Sequence, residues 1–222
     1  MVPVGTQENP PRTRFPIVTA IIVLVNLLVF SYELLVLNNG GEEALNVFVN
    51  SYGVVPAEIV NGRHLSTLLS AMFVHAGFVH IIFNMLFLLV FGDNVEDRLG
   101  HGRYLAFYFV SGLVASFAQI MVDPTSNIPS VGASGAIAGV LSGYVLLFPR
   151  GMVRVLLFLG LFTNIARVPA LVIIGFWFLV QFLNGIVSFS VNTAETGGVA
   201  YWAHIGGFIA GLVLAPLLKT RR

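Results

Sequence analysis

Three short sets of residues in this 222-residue chain have the types and spacing for acyl-transfer chemistry. Gly132-Ala133-Ser134-Gly135 places a hydroxyl among small residues where a short loop turns into an apolar helix. His80 and Asn84 stand four residues apart in a second apolar segment, and His204, followed by Gly206-Gly207, stands in a third. A serine hydroxyl becomes a good nucleophile when a neighbouring base takes its proton, and histidine is suited to that role near neutral pH. Removal from water disfavours the imidazolium, so a buried His204 is uncharged and able to accept. The oxyanion formed on attack needs hydrogen-bond donors. Residues i and i+4 share one helix face, so His80 and Asn84 can aim two side-chain donors at one point. Ser134 opens a helix, which leaves its backbone N–H without a partner in that helix. Nucleophile, base and oxyanion donors together point to peptide-bond hydrolysis.

The elements that must position these groups are membrane helices. Hydrophobic residues make up 57% of the chain and charged residues 9%, against about 25% charged in a water-soluble domain. Net charge is +1 with no long basic run, which argues against nucleic acid as a partner. With no cysteine, disulfides, thiolate metal sites and a cysteine nucleophile are excluded. A span needs roughly 20 apolar residues. Six candidates follow: 16–37, 70–91, 104–122, 132–148, 168–189 and 201–218. The first is too long for a signal-peptide core and is read as retained. The fourth is the shortest, which sets Ser134 below the membrane surface, where water must reach it through a cavity. The expected organisation is all-α: a tail over 1–15, a single six-helix membrane domain over 16–218, and a basic end over 219–222. Met1–Pro11 reads as disordered.

Ten of the eleven basic residues fall on one side of this topology, and only Arg63 falls on the other. By the positive-inside rule both termini are cytoplasmic, and loops 38–69, 123–131 and 190–200 lie outside. His80, Ser134 and His204 then all stand toward the outer face. Loop 38–69 is expected to fold as short interfacial helices, and the apolar run Val153–Phe162, too short to span, to lie in the inner interface. Span four carries Gly135, Gly139 and Gly143, and span six Ala203, Gly207, Gly211 and Ala215, all at four-residue spacing. Such stripes let backbones approach closely. Packing Gly135 and Gly139 on Gly207 and Gly211 brings the hydroxyl to the imidazole. No Asp or Glu occurs in spans four or six, so a Ser–His dyad is expected rather than a triad. Glu33 is the one carboxylate within a span.

Other polar residues take blander readings. Ser111, Ser116 and Ser142 are helix serines, His75 and Gly132 are structural residues near the site, and His64 and His101 are solvated. Asn26, Gln181 and Asn184 are interhelical hydrogen-bonders. A zinc site from His75, His80 and His204 lacks an HExxH pattern and a companion carboxylate. The proposed chemistry needs no metal or cofactor.

The segment His75-Ala-Gly-Phe-Val-His80-Ile-Ile-Phe-Asn84, the Gly132-Ala-Ser134-Gly135 turn and Ala203-His204-Ile-Gly-Gly207 resemble the rhomboid intramembrane serine proteases. Val95-Glu96-Asp97-Arg98-Leu99-Gly100 resembles that family's turn between the second and third helices. The resemblance implies a six-helix core, Ser134 as nucleophile, His204 as base, and His80, Asn84 and the Ser134 N–H around the oxyanion. It implies substrates that are membrane-anchored proteins, cut close to the outer face, small residues at the cleaved position, and span five with the 190–200 cap as gate, where Gly197-Gly198 suits a mobile cap. Two positions depart from the family's pattern. Its frequent Trp-Arg pair in the first outer loop falls on Ser66-Thr67. The aromatic that often follows the serine by four residues falls on Ala138, so His204 is expected to be oriented by a Phe or Tyr of span six or five. The expected setting is a multi-pass protein in a prokaryotic cell membrane. Oligomeric state is open. Two alternatives are a non-proteolytic rhomboid-like protein that binds membrane clients, and a transporter with broken helices. The chain keeps both serine and histidine, and its halves show no internal symmetry.

Overall fold

The computed structural model describes residues 2–8, 13–159, 162–189 and 199–219. Five helices are long and apolar enough to cross a membrane: Ile17–Tyr52, Phe78–Leu99, His101–Val122, Ala170–Val187 and Tyr201–Leu218. A shorter apolar helix, Ser134–Leu147, lies among them. In chain order the elements are β1 (Val2–Gln7), α1 (Ile17–Tyr52), α2 (Pro56–Val60), α3 (Thr67–Ser70), α4 (Phe78–Phe87), a π-helical turn (Leu88–Gly92), α5 (Asp93–Leu99), α6 (His101–Val122), α7 (Ser134–Leu147), β2 (Met152–Leu159), β3 (Phe162–Pro169), α8 (Ala170–Val187) and α9 (Tyr201–Leu218).

Helix α7 is the centre of the bundle. Its 14 residues give a length of about 21 Å, less than the roughly 30 Å of a hydrocarbon core. Eleven of those residues are buried, so this helix meets protein on nearly every side. Small residues make that possible. A Cβ built on Gly207 would strike the Gly135 carbonyl oxygen, and one on Gly211 would strike the Gly139 carbonyl oxygen and Ser142 Oγ. Lipid tails supply no hydrophobic drive between helices, so close backbone packing of this kind carries the association. The outer helices differ. Only 22% of the apolar window of α1 and of α8 is buried, against 50% for α9. Large side chains such as Leu28, Leu35, Phe176 and Leu183 face outward where lipid would lie. The buried positions of α1, Thr19, Ile22, Asn26, Phe30 and Glu33, recur every three or four residues along one face.

The start of α1 is tied to α5. Glu96, fully buried, accepts from Val18 N and Thr19 N at 2.8 Å and from Thr19 Oγ1 at 2.7 Å. A carboxylate there meets the orphan N–H groups and the positive end of the helix dipole. His101, expected to be solvated, opens α6 and places Nδ1 2.6 Å from the same carboxylate.

Five of the six spans and one region differ from the sequence reading. Span one continues past Leu37 to Tyr52, bent at Gly41, whose φ of 70° no helix interior adopts. The rest of loop 38–69 contains the short helices α2 and α3. Span two begins at Phe78, not Ser70, because Gly77 (φ 143°) breaks the chain, and Ala71, Met72 and Val74 turn into the core instead. Spans four and five shorten to Ser134–Leu147 and Ala170–Val187. The helical bundle is accompanied by a three-stranded antiparallel sheet, ordered β1-β2-β3. The described part of the run Val153–Phe162 is strand, with Val153–Leu159 in β2 and Phe162 opening β3, paired antiparallel in register from Met152↔Pro169 to Leu159↔Phe162. Val153 and Val155 are buried with Arg154 exposed between them, the period-two pattern of a half-buried strand. Val2–Gln7, read as disordered, pairs with β2 from Val2↔Leu156 to Gln7↔Met152. Pairing with β2 supplies ladder hydrogen bonds that a tail lacks alone. The expected cap at 190–200, with Gly197 and Gly198, falls on residues outside those described up to 198.

Candidate active site

Ser134 is the first residue of α7, and the loop before it is pinned on both sides. Val54 and Ser130 exchange two backbone hydrogen bonds, at 2.9 and 2.8 Å, and Gly132 N donates to the Ala71 carbonyl at 2.8 Å. Gly132 has φ 121°, in the region that favours glycine, and a Cβ there would lie 2.7 Å from His80 Nε2. Glycine therefore lets the imidazole of α4 reach the turn that presents Ser134.

His204 stands in the first turn of α9 and is 9% exposed. Its Nε2 lies 2.7 Å from Ser134 Oγ. Its Nδ1 lies 2.7 Å from Gln181 Oε1 of α8. The indole of Trp177, one turn earlier on α8, lies against the imidazole with centroids 5.6 Å apart and planes tilted by 40°. The ring was expected to rest on a Phe or Tyr; it meets a tryptophan and an amide. Ala138, fully buried, stands where the aromatic of the usual pattern would be. The start of α9 is held to α6, where Gln119 Oε1 accepts from Ala203 N at 3.3 Å. Gln181 was placed among the interhelical hydrogen-bonders; its partner is the imidazole itself. Trp177, Gln181 and Gly185 recur every four residues, so one face of span five carried a signal that hydropathy passes over.

The second histidine has the opposite arrangement. His80 Nδ1 accepts from Ala76 N at 3.4 Å, which leaves Nε2 to carry the proton toward Gly132. Asn84 Nδ2 aims at the same place, 3.7 Å from that Cβ position. Asn84 is 6% exposed, and its Nδ2 has no hydrogen-bond partner among the described residues. Buried donors are nearly always paired, so an unpaired one beside a nucleophile marks room for an acceptor. His75 packs on His80 with centroids 5.0 Å apart, donates Nδ1–H to the Phe73 carbonyl at 3.2 Å, and donates its backbone N–H to Glu33 at 3.1 Å. Glu33, the carboxylate expected within span one, thus accepts from the chain at His75.

A cavity of about 30 Å³ adjoins Ser134, lined by Met72, Ala115, Gly132 and Ala203 among others. That is about the space of one water. A larger groove of about 310 Å³ lies beyond Ser130 and Ala200, between Gln119, Ser126, Tyr201 and Trp202. The arrangement can activate a hydroxyl, stabilise an oxyanion with up to three donors, and admit water.

The fold is that of a polytopic helical membrane protein whose polar cluster heads its most buried helix. The Rhomboid domain profile matches residues 62–221, and the chain belongs to the rhomboid family. It is 31% identical over 201 residues to the Rhomboid protease GluP of Bacillus subtilis, covering 90% of this chain and 35% of that protein. It is 31% identical to RHOMBOID-like protein 4 of Arabidopsis thaliana, covering 76% of this chain and 38% of that one. It is 29% identical to Rhomboid protein 1, mitochondrial, of Saccharomyces cerevisiae, covering 75% and 45%. The chain thus spans less than half the length of each of these relatives.

Proposed function

We propose that this protein is an intramembrane serine endopeptidase, acting on peptide bonds in or near the transmembrane segments of membrane-anchored proteins. The observation that carries the reading is the 2.7 Å contact between Ser134 Oγ and His204 Nε2, set beside the unpaired donor of Asn84. The relative from Bacillus subtilis is itself called a rhomboid protease.

In this reading Ser134 Oγ attacks the scissile carbonyl carbon as His204 Nε2 takes the hydroxyl proton. The carbonyl oxygen becomes an oxyanion and accepts from Asn84 Nδ2, His80 Nε2–H and the Ser134 N–H. Collapse of the intermediate breaks the C–N bond, and His204 returns its proton to the leaving amine. Water then attacks the acyl-serine with His204 again as base, freeing the second product and the serine hydroxyl. Gly135 and Gly139 against Gly207 and Gly211 hold α7 and α9 close enough for the proton transfer. Gly132 admits His80, and His75 supports it. The basic side of the topology faces the cytoplasm with both termini, so cleavage takes place toward the outer face. A substrate helix must unwind locally, because a helical peptide bond is shielded by its own turn.

The test is cleavage of a labelled single-pass substrate by purified wild type, Ser134→Ala, His204→Ala and His75→Ala. Cleavage is expected to vanish in the first two variants and to persist in the third. A serine-directed fluorophosphonate should label wild type and leave Ser134→Ala unlabelled. Proteolysis that survives both Ser134→Ala and His204→Ala would refute the reading, and a fold that binds the substrate without cutting it would favour a client-binding role.

A further inference from the structure

We propose that Gln181 is a positioning residue for the reaction, fixing which nitrogen of His204 carries the proton and so making Nε2 a base. The proposal rests on the reading of Ser134 and His204 as a proteolytic pair.

A neutral imidazole has one N–H and one lone pair, and the hydrogen bond on one nitrogen decides the character of the other. With the proton on Nε2, His204 could only donate to Ser134 and could not remove its proton. The amide oxygen of Gln181, 2.7 Å from Nδ1, accepts and gives Nδ1 the proton. Nε2 then presents its lone pair to Ser134 Oγ at 2.7 Å. In soluble triads an aspartate does this work, and a wrong tautomer there is costly. Spans five and six, α8 and α9, contain no Asp or Glu. A neutral amide orients the ring without the desolvation cost of a second buried charge.

The location of Gln181 has a further consequence. Only Ala170, Ile174 and Gly185 of α8 are buried, and a narrow strip holds this helix to α9. Phe178 stacks on Phe208 with centroids 4.2 Å apart, Trp177 lies on His204, and Gly185 faces Trp202 and Ile205. Any separation of α8 from α9 withdraws the acceptor from Nδ1. The base is therefore competent only while α8 is packed, which couples the ring's tautomer to helix packing one turn away.

Full-length protein labelled with ¹⁵N-histidine tests this, with His204→Ala used to assign the signal. In wild type, His204 is expected to show a protonated Nδ1 and an unprotonated Nε2. Gln181→Leu should give a mixture of tautomers and lower kcat by about 10- to 100-fold, with KM changed far less. Gln181→Glu keeps an acceptor and should restore the wild-type tautomer and most of kcat. Phe178→Ala, which touches neither reacting group, should shift the tautomer in the same direction. A wild-type His204 protonated on Nε2 would overturn the proposal without any variant. So would wild-type kcat in Gln181→Leu, where Ser134→Ala is inactive. Cleavage by Ser134→Ala would instead reject the underlying protease reading.

Discussion

Replacing Asn84 with alanine separates what the fold needs from what the proposed reaction needs. The Nδ2 group is buried and unpaired among the described residues. A buried donor left unsatisfied costs roughly 1–3 kcal/mol. Alanine relieves that cost while losing some side-chain packing, so the net change in stability should be within about 1 kcal/mol of zero. During turnover the same donor gains an acceptor, the oxyanion. Loss of one such donor lowers kcat by about 10²–10³ in a soluble protease. Here His80 Nε2 and the Ser134 N–H remain, and His80 reaches the same turn, so a loss of about 10–10² is expected. That corresponds to about 1.4–2.7 kcal/mol of transition-state stabilisation. Initial rates on a labelled transmembrane substrate, measured beside unfolding in the same micelles, read both quantities. Wild-type kcat together with a loss of several kcal/mol in stability would refute the assignment and make Asn84 a structural residue.

Other substitutions probe the frame around the site. Gly207→Ala puts a methyl group on the Gly135 carbonyl oxygen, forcing α9 from α7. Overpacking should cost about 1–3 kcal/mol. A shift of about 1 Å between Ser134 and His204 should cost about 10²-fold in kcat. Gly175→Ala, with nothing within 4 Å of the new Cβ, is the matched control and should cleave as wild type. Glu96→Ala strips α1 of three acceptor contacts and leaves buried N–H groups unpaired. Thermal unfolding should show a loss of about 3 kcal/mol or more, with fluorophosphonate labelling of Ser134 retained below the transition. His75→Ala removes the ring packed on His80 and should lower stability more than kcat, as paired unfolding and rate measurements will show.

Much of this protein is set by local sequence. Hydropathy marks a polytopic helical protein because a membrane span must be apolar along its whole length. Spacing by four puts His80 beside Asn84 and lines up Gly135 with Gly139 and Gly207 with Gly211, because i and i+4 share a helix face. Only the tertiary structure decided the rest. Ala71, Met72 and Val74 read as part of a span because hydropathy cannot tell a core-facing turn from a lipid-facing helix; Gly77 made the difference. Val2–Gln7 has no partner until β2 lies beside it, so nothing local in the first eleven residues announced a strand. The orientation of His204 was hidden for the same reason. Its acceptor, Gln181, lies 23 positions away on another helix. A lone glutamine in an apolar span shows that it needs a partner, but only the packing of α8 on α9 decides which.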